Sequence, residues 1–128
     1  MYRVELTGMG ESGFKVKSGD YEFEIDTKGK GVTPPDTLLA SIGSCVGVYL
    51  RKYAADAKIP LKDFRISVEA ELSKDPPPVS FKSISISVDL KGLELDARRQ
   101  EALLQFVKNC PIHNTLKANP QVEIKIAS

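Results

Sequence analysis

The stretch Thr33-Pro34-Pro35-Asp36-Thr37-Leu38-Leu39-Ala40-Ser41-Ile42-Gly43-Ser44-Cys45 decides how this chain folds. Thr33 is a good N-cap residue and Pro34 suits the first helical position. Asp36, three after the cap, puts a carboxylate where the positive end of a helix favours it. An apolar run continues through Val46, Val48, Leu50 and Tyr53 and closes near Ala57-Lys58-Ile59-Pro60. The pattern predicts one helix of about twenty residues, longer than the ~10–14 of an average globular helix. A helix this long and apolar in a small protein is expected to be central, with other elements packed on most of its sides.

Upstream of it, residues 2–9, 14–17 and 21–26 each alternate apolar and polar side chains, separated by the turns Glu11-Ser12-Gly13 and Ser18-Gly19-Asp20. Three such runs with tight connections predict a meander of three strands. Downstream, Phe64, Ile66, Val68, Ala70 and Leu72 share one face of a fourth strand, which Pro76-Pro77-Pro78 must end because proline cannot donate to a ladder. Phe81 to Leu90 gives a fifth strand with a serine-rich outer face. Asp96 is a cap for a second helix that stops at Asn109-Cys110-Pro111, followed by a short helix from Pro111 to about Lys117. A last strand is expected over Val122-Glu123-Ile124-Lys125-Ile126. The order βββ-α-ββ-α-(short α)-β predicts an α+β domain with helices on one face of a largely antiparallel sheet.

Composition narrows the classes. At 128 residues the chain is expected to be one domain, 1–128, with a core that needs no disulfide or metal. A net charge of +1 gives no reason to expect nucleic acid or an acidic membrane surface as partner. The apolar run 38–50 is too short, and too broken by Ser41, Gly43, Ser44 and Gly47, to span a bilayer. Met1-Tyr2-Arg3-Val4-Glu5 leads straight into strand-like sequence without a signal peptide, so a cytoplasmic location is expected.

The chemistry candidates are the two cysteines. In a reducing compartment they are not expected to form a structural staple, and two thiols are too few for structural zinc unless His113 and a carboxylate join them. They are either two packed, inert thiols or a working pair. Cys45 shares a helix face with Leu38, Ile42 and Tyr49, and needs a nearby cation to react at neutral pH, because the thiolate is the nucleophile. Cys110 directly precedes Pro111 and is expected to cap the short helix, its sulfur facing free backbone N–H groups. His113 lies three residues on. No phosphate-binding glycine motif and no serine-hydrolase elbow appears.

Pro34, Asp36, Leu38, Leu39 and Ala40 leading to Cys45, then Cys110-Pro111-Ile112-His113 some 65 positions later, resemble the OsmC/Ohr family (osmotically inducible protein C and organic hydroperoxide resistance proteins), in its OsmC-like branch. The resemblance implies an intertwined homodimer, its central helices wrapped by antiparallel sheets from both subunits, with active sites at the interface. It implies a thiol-dependent hydroperoxidase acting on organic hydroperoxides in oxidative-stress defence, Cys45 being peroxidatic and Cys110 resolving. An external dithiol would serve as reductant, with no bound cofactor or metal. Asp36, His113 and Arg3 are the candidate supporting groups. Strongly active relatives carry an arginine in the N-terminal sheet and a glutamate ten positions before the first cysteine. Here that position is Pro35, and no arginine lies between Arg3 and Arg51, leaving Lys15, Lys17, Lys28 or Lys30 as substitutes. Two other outcomes stay open: a redox-sensing or small-molecule-binding protein with little peroxidase activity, and a structural dimer with two buried thiols.

Overall fold

A computed structural model describes residues 1–127. The elements are β1 (Glu5–Met9), β2 (Gly13–Ser18), β3 (Tyr21–Asp26), α1 (Pro34–Asp56), β4 (Arg65–Ser73), β5 (Ser80–Asp89), α2 (Ala97–Val107) and α3 (Pro111–Ala118). The chain forms two compact units that divide within α1, one of Met1–Ala40 and one beginning at Ser41.

In the first unit, β1, β2 and β3 form an antiparallel meander in that order. The β2–β3 hairpin pairs Ser18 with Tyr21, and Gly19, at φ +59°, supplies the left-handed turn conformation that a side chain disfavours. Val16 and Ile25 are its buried side chains, whereas Leu6, Phe14 and Phe23 remain exposed.

The start of α1 is built as its sequence requires. Thr33 Oγ1 accepts the Asp36 N–H at 3.2 Å, and Asp36 Oδ2 accepts the Thr33 N–H at 3.0 Å and its hydroxyl at 2.9 Å. This is a reciprocal capping box with aspartate in the place usual for glutamate. The far end closes on Lys58, at φ +58°, with Ile59 N–H donating to Ala54 C=O at 2.8 Å and Lys58 N–H to Ala55 C=O at 3.3 Å. That double closure is a Schellman motif, and buried Ile59 supplies its hydrophobic contact.

In the second unit, β4 and β5 form an antiparallel ladder that pairs Ile66 with Val88, Val68 with Ile86 and Ala70 with Ile84. Ile42, Gly43, Val46, Gly47, Leu50 and Ala54 are the buried residues of α1. At Gly43 an added Cβ would stand 2.9 Å from Val68 Cγ2, and at Gly47 3.2 Å from Ile66 Cδ1. The two glycines therefore let β4 side chains lie almost on the helix backbone. Phe106 of α2 packs between Tyr49 and Tyr53 of α1, with ring centroids 6.0 Å and 5.8 Å apart in tilted geometry. Asp96 caps α2 by accepting the Arg99 N–H at 2.8 Å.

Two expectations need correction. The strands form two separate sheets and not one. The expected last strand over Val122–Ile126 is not formed: its alternation is real, but Val122, Ile124 and Ile126 are 78, 89 and 96% exposed and no ladder partner lies beside them. Alternation specifies which faces a strand would have, whereas a strand exists only when another backbone takes up its hydrogen bonds.

Candidate functional site

The start of α3 brings the two cysteines together. Pro111 occupies its first position and has no N–H to offer, so the first free donors are those of Ile112 and His113. The Ile112 N–H lies on the Cys45 side of this turn and favours the thiolate there. The His113 N–H donates to the Cys110 sulfur at 3.4 Å. The Asn114 N–H then makes the first intrahelical bond, to the Cys110 carbonyl at 3.0 Å. One donor of the opening turn is thus bonded to sulfur and another to the Cys110 carbonyl.

The side chains of Cys45 and Cys110 are neighbours, close enough for each thiol to act on the other, and both are free. Their exposure differs. Cys110 is 0% exposed, whereas Cys45 is half-buried, so only Cys45 offers a face to an incoming molecule.

Burial is the main influence on the Cys45 thiol and pushes it above the ordinary thiol range, since desolvation disfavours the thiolate. The hydrogen bond to Cys110 and the repulsion between two neighbouring thiolates act in the same direction. The Ile112 N–H and the Lys52 ammonium oppose them without prevailing. In this state Cys45 presents less thiolate than the few per cent of an ordinary thiol near pH 7.

A paired-thiol site of this kind, beside a long N-capped helix, directs attention to one family, whose model, OsmC-like protein, matches residues 27–125. The chain belongs to the OsmC-like family.

Solved structures of similar fold agree with that assignment. An OsmC-like protein from Mycoplasma pneumoniae superposes with a TM-score of 0.79 at 20% identity, covering 91% of this chain and 87% of that one. An organic hydroperoxide resistance protein OsmC from Legionella pneumophila gives 0.66 at 21% identity, covering 93% and 92%. The organic hydroperoxide resistance protein OhrB of Bacillus subtilis gives 0.65 at 18% identity, covering 92% and 93%. At these identities the likeness is one of fold. No curated protein matches the sequence.

The remaining candidate residues take separate places. Asp36 is committed to the α1 cap, and the Thr33 N–H and hydroxyl hold its carboxyl below the usual carboxylate range. Arg3 pairs with Glu5 at 2.9 Å, both side chains being well exposed. His113 contributes its backbone N–H to Cys110, and its buried Nδ1 has no hydrogen-bond partner. Among the described residues no group of three or more His, Cys, Asp or Glu side chains could hold a metal ion, and no helix is long and apolar enough to cross a membrane.

Sequence reasoning missed Lys52. The cation candidates read from the sequence are Arg3, Arg51, Lys15, Lys17, Lys28 and Lys30, yet the charge acting on Cys45 comes from seven residues further along α1. Two helical turns bring residues seven apart back to one face, a signal the sequence did contain.

Proposed function

We propose that this protein reduces organic hydroperoxides by a two-thiol cycle, with Cys45 as the peroxidatic and Cys110 as the resolving residue. The observation that carries this reading is the contact between the two thiols at the start of α3, with Cys45 the accessible member. Cys45 thiolate attacks the distal peroxide oxygen and the O–O bond breaks. The alkoxide takes a proton to leave as alcohol, and the sulfur becomes a sulfenic acid. The Cys110 thiol then displaces hydroxide, which leaves as water with the thiol proton, and a Cys45–Cys110 disulfide forms. An external dithiol reduces it, becoming a disulfide itself and returning both thiols. The N–H donors of Ile112 and His113 suit the anionic sulfurs of such a cycle. Tyr49, one turn from Cys45, and Phe106 against it suit an apolar substituent on the peroxide.

The working unit in this reading is a cytoplasmic homodimer. Leu6, Phe14 and Phe23 leave apolar surface on the first sheet, and Val122, Ile124 and Ile126 form a strand pattern without a partner in their own chain. A second subunit would cover surface of this kind.

The reading is tested by mixing reduced protein with cumene hydroperoxide. Wild type should consume peroxide and lose about two thiols per chain. Cys45→Ser should do neither, and Cys110→Ser should accumulate a sulfenic acid that a dimedone reagent traps. Absence of peroxide loss in both wild type and Cys110→Ser refutes the reading.

The raised Cys45 thiol favours a second one, a redox-sensing or ligand-binding protein that turns over slowly. It predicts disulfide formation at sustained peroxide with little catalytic consumption, and ligand affinity that survives Cys45→Ser.

A further inference from the structure

We propose that Lys52 is a positioning residue that supplies positive charge to the α1 face it shares with Tyr49 and Cys45. The inference rests on Cys45 being the attacking thiol.

Cys45, Tyr49 and Lys52 occupy positions i, i+4 and i+7 of α1 and so line one helix face. The Lys52 ammonium sits 4.8 Å from the centroid of the Tyr49 ring, where the negative face of the ring attracts it. Phe106 of α2 packs against that same ring and limits its movement. A lysine that would otherwise sweep a wide arc is thereby held toward the cysteine end of the face.

The other nearby cation is differently placed. Arg51, six residues beyond Cys45, stacks its guanidinium 5.3 Å from the Phe64 centroid. At about 100° per residue it projects roughly 120° away from Cys45 around the helix.

The groups acting on Cys45 from its surroundings are few. From the start of α3 come the Cys110 thiol and the Ile112 N–H, from α1 itself the Lys52 ammonium. His113 is the other titratable side chain in the opening turn of α3, and α2 meets this side of α1 through the uncharged ring of Phe106. The Lys52 ammonium is the smallest of the influences on the thiol and favours the thiolate. Being exposed, its charge is felt through solvent, so its influence is modest and depends on salt.

The test is the rate at which neutral iodoacetamide alkylates Cys45 in the full-length protein, followed by peptide mass across neutral and alkaline pH. Lys52→Met keeps the aliphatic stem and removes the charge. It should slow alkylation near neutral pH about two- to fivefold and move the pH profile to the alkaline side. Lys52→Arg should restore the profile. Added salt should slow wild type and leave Lys52→Met unaffected, a response that a purely structural role would not produce. An unchanged profile in Lys52→Met, or a salt response that persists in it, overturns the proposal. Peroxide consumption is a separate measurement: its absence in wild type overturns the peroxidase reading, and the alkylation profile still decides the role of Lys52.

Discussion

The sulfur of Cys110 accepts the backbone N–H of His113 at 3.4 Å and so serves as the N-cap of α3. One atom therefore has a structural role and lies against the second thiol. The two are separable by substitution. Cys110→Ser keeps an acceptor of higher capping preference, whereas Cys110→Ala leaves the His113 N–H without one. Chemical denaturation should find Cys110→Ala the less stable of the two by about 1 kcal/mol. Equal stabilities would show that the sulfur does not cap.

The pH dependence of Cys45 follows from its burial. Its thiol is raised in the folded protein, so the native state holds that proton more tightly than the unfolded chain. The associated stability is fully present below the ordinary thiol value of about 8.5 and is lost as pH rises through the higher folded value. Urea titrations should therefore show wild type losing more stability than Cys45→Ser on the alkaline side. Thiol reactivity should rise over the same interval, and a plateau already reached at neutral pH would contradict it.

Asp36 has the opposite sign. Its carboxyl is held low by the Thr33 N–H and hydroxyl, so its contribution is present above the ordinary carboxylate value and disappears as acid carries it through the lower folded one. Asp36→Asn should flatten the acid limb of the stability profile. Thr33→Ala, which removes the cap oxygen itself, should cost about 0.5–2 kcal/mol at neutral pH in a denaturation experiment.

Gly43 and Gly47 make a comparison within one helix. Alanine ordinarily stabilises a helix interior by about 1 kcal/mol over glycine. At Gly43 the new methyl would meet Val68 Cγ2 at 2.9 Å, on a β-branched side chain with little freedom to turn away. Overpacking of about 1–3 kcal/mol should outweigh the gain, and Gly43→Ala should lower Tm. At Gly47 the neighbour is the outer methyl of Ile66 at 3.2 Å, so Gly47→Ala should be close to neutral.

Lys58 closes α1 in a left-handed conformation, φ +58°, that glycine adopts without a Cβ clash. Lys58→Gly should keep the closure through Ile59 and Ala54 and raise stability by about 1 kcal/mol. A loss of stability on thermal unfolding would mean that the lysine side chain contributes more than its strain.

Much of the fold was legible because it rests on local rules. The Thr33-Pro34-Pro35-Asp36 start, the Asp96 cap and the Cys110-Pro111 junction act over three or four residues, and each appears in the structure where its residue types place it. Alternation likewise located the first five strands. The site was legible less completely. Its two cysteines stand out by type and by neighbouring proline, but the influence of Lys52 on Cys45 does not, since it depends on where a long flexible side chain comes to rest.

What the sequence determined by itself is the helix of Thr33 to Ile59, its caps and the thiol it carries, because backbone hydrogen bonding and side-chain periodicity are properties of contiguous residues. What only the tertiary structure decided is what surrounds that thiol: Cys110 brought against it by the return of the chain into α3, and Ile66 and Val68 seated on the glycines. It also decided against a strand at Val122–Ile126, since pairing needs a second backbone that local sequence cannot provide. The state of the Cys45 thiol belongs to the same class, because desolvation depends on every neighbour the fold assembles.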